Sequence, residues 1–183
     1  MLRIVIPAEE SWDERNEKFV IARKEQVLQL EHSLVSLSKW ESKWCKAFLS
    51  KKEKTYEETI DYIKCMTITQ NVDPEIYNHI NRDIVAQVEQ YINAPMTATT
   101  FREEPGGKSK SNREIITSEI IYYWMVTLGI PLECQKWHLN RLLTLIRVCD
   151  IKNSPPKKRS KKEMLSSRAS LNAARKKKMG TRG

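Results

Sequence analysis

The stretch from Glu114 to Cys149, EIITSEIIYYWMVTLGIPLECQKWHLNRLLTLIRVC, is the densest apolar run in the chain and limits what the chain can fold into. In its first part Ile116, Ile120, Ile121, Trp124, Met125 and Leu128 recur at the three-and-four spacing that places them on one helix face. In its second part Leu139, Leu142, Leu143 and Ile146 repeat the pattern. Gly129 suits the left-handed end of a helix, and Pro131 suits the first turn of the next. The expectation is an αα-hairpin forming the middle of a hydrophobic core.

Upstream the periodicity changes. Leu2 to Pro7 reads as a short strand that Pro7 ends. Glu9 to Asn16 reads as a polar connection holding Trp12. Phe19–Ile21 and Val27–Leu30 are further β-compatible runs, so a small N-terminal β-hairpin or meander is expected over about residues 1–32. From Ser33 to Leu49 the spacing is helical, with Leu34, Leu37, Trp40, Trp44 and Phe48 inward and Ser33 as N-cap. Thr55-Tyr56-Glu57-Glu58 is a capping box that opens a helix to about Met66. Asp73-Pro74 starts a short helix over 75–81, and Asp83 reads as the cap of Ile84–Ile92, which Asn93-Ala94-Pro95 stops. Residues 96–112, with Gly106-Gly107 and alternating charge, read as an exposed flexible loop. Asn153-Ser154-Pro155-Pro156 closes the domain.

Charge divides the chain in the same place. The net charge is +9, but from Lys152 onward there are twelve Lys or Arg and one acid, Glu163. Residues 152–183 therefore carry about +11 and the body about −2. The tail is too poor in large apolar residues to build a core, so it is expected to be a disordered basic extension, with helix-forming composition over Ser167–Lys178. Its basic residues Lys157, Lys158, Arg159, Lys161, Lys162, Arg175, Lys176, Lys177 and Lys178 suit nucleic acid or an acidic protein. The absence of aromatic residues after Lys152 gives no support to base stacking. The predicted architecture is thus a mainly α domain over 1–151 around a central αα-hairpin, with a small N-terminal β-hairpin, followed by the flexible tail 152–183.

The residues offer no catalytic, cofactor or metal site. Glu31-His32-Ser33 sets acid, imidazole and hydroxyl side by side, but a triad needs convergence rather than adjacency, and a capping Ser33 accounts for the same residues. Cys134 and His138 are one helical turn apart, yet zinc needs three or four ligands in one place. An enzyme would need His32, Cys134 and His138 to converge. Gly106-Gly107-Lys108-Ser109 lacks the first glycine of a phosphate-binding loop, where Arg102 stands. Cys45, Cys65, Cys134 and Cys149 read as reduced, buried thiols. No apolar run reaches the ~18 residues of a membrane span, and no signal peptide is apparent, so a cytoplasmic protein without membrane contact is expected.

Ile121-Tyr122-Tyr123-Trp124, Ile130-Pro131 and Trp137-His138-Leu139-Asn140-Arg141-Leu142-Leu143 resemble small tail-gene products of long-tailed bacteriophages. So do Leu30-Glu31-His32-Ser33-Leu34, Trp40-Glu41, and the closing Ser170-Leu171-Asn172-Ala173-Ala174-Arg175-Lys176-Lys177. The resemblance is to phage tail assembly chaperones and covers most of the chain. It implies a non-enzyme in the host cytoplasm that coats the tape measure protein and helps tail-tube protein assemble around it. It also implies a longer, frameshifted form of the chain in many members. For such a role, Tyr122, Tyr123, Trp124 and Trp137 are the candidate partner contacts, since helix-in-groove binding uses anchors one turn apart. The alternative is a nucleic-acid-binding or scaffolding protein acting through the basic tail.

Overall fold

The computed structural model describes residues 1–14, 17–101, 115–154 and 161–180. They fall into two compact units, Met1–Asp150 and Ile151–Gly183. The first is mainly helical with an N-terminal β element.

Four strands open the chain: β1 (Leu2–Ile6), β2 (Glu9–Asp13), β3 (Lys18–Arg23) and β4 (Gln26–Leu30). β1 pairs with β4 from Leu2↔Leu30 to Ile6↔Gln26, and β2 pairs with β3 from Glu9↔Arg23 to Asp13↔Lys18. The register at Glu9↔Arg23 continues that of Ile6↔Gln26, and the β2–β3 hairpin is nested in sequence between β1 and β4 as a second two-stranded sheet. A bulge between Glu9 and Glu10 then shifts it by one residue. The β1–β4 sheet joins the core, with Ile4, Ile6, Leu28 and Leu30 buried on one face. The β2–β3 hairpin is an arm. The expected polar connection over Glu9–Asn16 is thus corrected to a strand as far as Asp13. Acidic residues of low β propensity are held there by pairing with the apolar β3, and partner context overrides propensity in strands.

Helix α1 (Leu34–Trp44) follows β4 almost at once. Ser33 caps it by a reciprocal exchange with Ser36 at 3.3 and 2.9 Å. It ends at Cys45 in the left-handed region, φ 51°. Leu34 and Leu37 are fully buried and Trp40 nearly so, which places α1 in the core beside Ile121, Met125, Leu139 and Leu142 of the expected αα-hairpin, buried just as completely. α2 (Tyr56–Met66) packs on it. The expected box is present: the Glu58 amide donates to Thr55 Oγ1 at 3.2 Å, and the Thr55 amide to Glu58 Oε2 at 2.9 Å. Lys46 and then the Thr55 amide hold the Glu58 carboxyl below its ordinary range. Trp40 donates its indole N–H to the Glu58 carbonyl at 2.9 Å, and Trp44 donates to Asp61 at 2.9 Å beside Lys43. Both tryptophans thus reach across to α2 with their polar edges satisfied.

A 3-10 helix (Pro74–His79) leads to α3 (Arg82–Asn93). Its cap is Asn81, whose Oδ1 accepts from the Ile84 amide at 2.9 Å, not Asp83, which lies in the first turn and favours the helix dipole there. Residues 102–114, with the Gly106–Ser109 segment and most of the expected flexible loop, lie outside the described residues.

α4 (Ser118–Thr127) and α5 (Leu139–Asn153) form the expected pair. Gly129 takes φ 64° as anticipated. Pro131 precedes a separate 3-10 turn (Leu132–Lys136) rather than sitting in α5. The Leu139 amide donates to the His32 carbonyl at 2.7 Å and ties the start of α5 to the end of β4.

In the second unit, α6 (Lys161–Met179) is a helix where a disordered tail is expected from sequence. Residues 161–179 contain no Gly or Pro, and Ala, Leu, Met, Arg and Lys carry helix formation without a core. The basic last turn, Arg175–Lys178, also faces the negative end of the helix dipole. Lys157, Lys158 and Arg159 lie outside the described residues. Among the described residues no helix is long and apolar enough to cross a membrane.

Candidate functional site

α4 is apolar almost all round its circumference, so a single buried face cannot cover it. Ile121 and Met125 are fully buried against the core. On the opposite side Tyr123 is 66% and Val126 72% exposed. Between those faces Trp124 and Leu128 look towards α5. Together with Leu143 and Ile146 they line a groove of about 420 Å³, with Arg147 and Asp150 at its rim. Arg147 lies over the Phe101 ring at 4.0 Å. α4 thus presents the exposed Tyr123 and Val126 on one side and, with α5, a mostly apolar groove that Thr127 also lines.

The four aromatic residues expected to meet a partner are not equivalent. Tyr123 is the exposed one. Trp124 is half-buried in the groove wall. Tyr122 is half-buried and donates its hydroxyl to Gln135 Oε1 at 2.9 Å; burial raises its pKa. Trp137 is half-buried under the Arg141 guanidinium at 4.2 Å, a cation–π contact. Tyr122 and Trp137 are therefore already engaged within the domain. Val126, Leu128, Leu143 and Ile146 are the further apolar residues there; the sequence pattern named the last three as core positions and Val126 not at all. The signal was there in the run Ile120 to Val126, where every residue is apolar or aromatic.

A second cluster is internal. His32 is 1% exposed, and its ring lies 5.1 Å from that of His138, edge to face. His32 Nδ1 and the Tyr62 hydroxyl share a hydrogen bond of 2.6 Å. His138 donates from Nε2 to the Tyr91 carbonyl at 3.1 Å and accepts on Nδ1 from the Asn140 amide at 3.3 Å. The Tyr91 hydroxyl donates to Glu31 Oε1 at 2.7 Å, and the N-terminal amine meets Glu31 Oε2 at 3.1 Å. Burial first, and then His138, depresses the His32 pKa to about 3. Burial also lowers His138, against its bond to Tyr91 and the charge of Glu31. Both rings are neutral near neutral pH, and both nitrogens of His138 are occupied. Ser33 is used as the helix cap. The His32–His138 convergence, which adjacency alone did not suggest, joins β4, α2, α3 and α5 inside the protein.

Among the described residues no group of three or more His, Cys, Asp or Glu side chains is placed to hold a metal ion. The basic residues Arg175, Lys176, Lys177 and Lys178 are exposed along the end of α6. No family model, no curated protein and no solved structure matches this chain.

Proposed function

We propose that this chain is a non-enzymatic tail assembly chaperone of a long-tailed bacteriophage, a late protein of virion assembly acting in the host cytoplasm. It binds tape measure protein and promotes assembly of tail-tube protein around it; a frameshifted longer form of the chain is a further partner. The observation that supports this reading is the uncovered apolar surface of α4 and α5. Tyr123 and Val126 stand one turn apart on α4, which with α5 also walls a groove through Trp124, Leu128, Leu143 and Ile146. Such a surface accepts the apolar stripe of an amphipathic helix, and exposed apolar patches of this kind mark interaction sites.

The test is co-expression with the tape measure protein of the same phage. Tape measure protein is expected in the soluble fraction with this chain and in aggregates without it. Tyr123→Asp with Val126→Asp should abolish the effect while leaving the circular dichroism of the chain unchanged, because both side chains are exposed. Aggregation at the same level with and without the chain would sink the reading.

The exposed basic end of α6 supports a second reading, a nucleic-acid-binding or scaffolding protein. Its DNA affinity should then fall steeply as salt rises and disappear when 152–183 are removed.

A further inference from the structure

A cleft of about 590 Å³ opens between the α1–α2 connection, α2 and α3. Its walls are apolar. α3 supplies Val85, Val88 and Ile92, at the i, i+3, i+7 spacing of one helix face, and α2 supplies Tyr62 and Ile63. Phe48 of the connection stacks on Tyr62 with ring centroids 3.8 Å apart. Four charged residues also line the cleft, Lys52, Glu53, Lys54 and Glu89, two of each sign. Net charge therefore selects no ligand, and position has to decide. Lys52, Glu53 and Glu89 are exposed, whereas Lys54 is half-buried with its Nζ 4.3 Å from the centre of the Phe48 ring. Burial lowers its pKa, against the charge of Glu58. The Glu58 carboxylate is itself engaged, Oε1 by Lys46 and Oε2 by the Thr55 amide. Among the described residues no carboxylate pairs with Lys54 and no oxygen accepts from its Nζ.

An ammonium carries three donors, and a ring face answers its charge without giving it an acceptor. Apolar walls with one seated polar group to fix orientation are what a small-ligand site presents. We propose that this cleft binds a small carboxylate with an apolar body, the carboxylate on Lys54 Nζ and the body against Phe48, Val88 and Ile92. One seated ammonium matches one negative charge. A phosphate dianion would meet Glu53 and Glu89 at the rim with no second seated cation. The inference does not rest on the chaperone reading, since neither α4 nor α5 takes part.

Calorimetric titration of the full chain with octanoate tests it. Octanoate should bind at one site, and octanol, the same body without the charge, about tenfold more weakly. Lys54→Met should reduce octanoate to the octanol level with unchanged circular dichroism, and Lys54→Arg should keep most of the affinity. Lys52→Gln, at the exposed rim, should change it by a few-fold at most. Val85→Trp, which fills the cleft from a half-buried position, should abolish binding of both probes. Equal binding of octanoate and octanol, a loss in Lys52→Gln as large as in Lys54→Met, binding that survives Val85→Trp, or no binding of octanoate to the unaltered chain would each overturn the proposal.

Discussion

His32 is held neutral inside a protein whose other buried histidine, His138, is its ring neighbour at 5.1 Å. Its folded pKa of about 3 lies below the ordinary 6.5. Between those values the unfolded chain binds a proton that the folded chain refuses, so stability is fully present above pH 6.5 and declines as pH falls towards 3. The groups facing the pair are Tyr62, Tyr91 and Glu31; the two phenols stay neutral throughout, since burial raises both. Urea unfolding between pH 6.5 and 5, above most carboxylate titration, should lose up to about 1.4 kcal/mol per pH unit from His32. Depression of His138 acts in the same direction. A His32→Gln variant should be less stable at neutral pH but show a shallower slope. An equal slope in both proteins would contradict this assignment. None of it could be read from Glu31-His32-Ser33 in sequence, because the partners lie far along the chain.

At the scale of elements, caps decide what was legible. The α2 capping box is a reciprocal pair four residues wide, and local chemistry of that kind is visible in Thr55 and Glu58 without a fold. α4 is different. Its N-cap, Thr117, makes no side-chain capping bond. The cap is supplied from α1: Glu41 Oε2 accepts from the Ser118 amide at 2.7 Å, while Oε1 accepts from the Phe48 amide at 2.9 Å. Glu41 is 7% exposed. Glu41→Ala leaves two amides without an acceptor and should cost about 2–5 kcal/mol, read as a lower urea midpoint with unchanged m-value. Glu41→Gln keeps one acceptor oxygen and should cost less. The strand β2 was missed for a related reason: Glu9, Glu10 and Asp13 argue locally for a loop, and only pairing with β3 makes them a strand.

For the molecule as a whole, the helical class and the N-terminal β element were legible. The share of α1 in the core was less so. Apolar density pointed to 114–149, where Ile121, Met125, Leu139 and Leu142 are fully buried, but Leu34 and Leu37 of α1 are buried as completely. Density counts apolar residues without telling inside from outside, and α4 spends Tyr123 and Val126 on solvent. Leu37→Ala should therefore cost about 2–5 kcal/mol, whereas Val126→Ala on α4 should change stability by less than about 0.5 kcal/mol. Chemical denaturation of the two variants side by side checks the contrast. The same excess of apolar residues on α4 is what drew Tyr123 and Trp124 into the candidate contacts, while the α5 wall of the groove needed the packing.

The hydrogen bond from Leu139 to the carbonyl of His32 has a consequence for synthesis. At ~5–20 residues per second, roughly 5 to 20 seconds separate the making of these two residues on the ribosome. During that interval the nascent chain makes Leu34, Leu37 and Trp40 and then α2, which packs on them, while α4 and α5 come last. A protein whose core waits this long for its last helices is exposed to misassociation during translation.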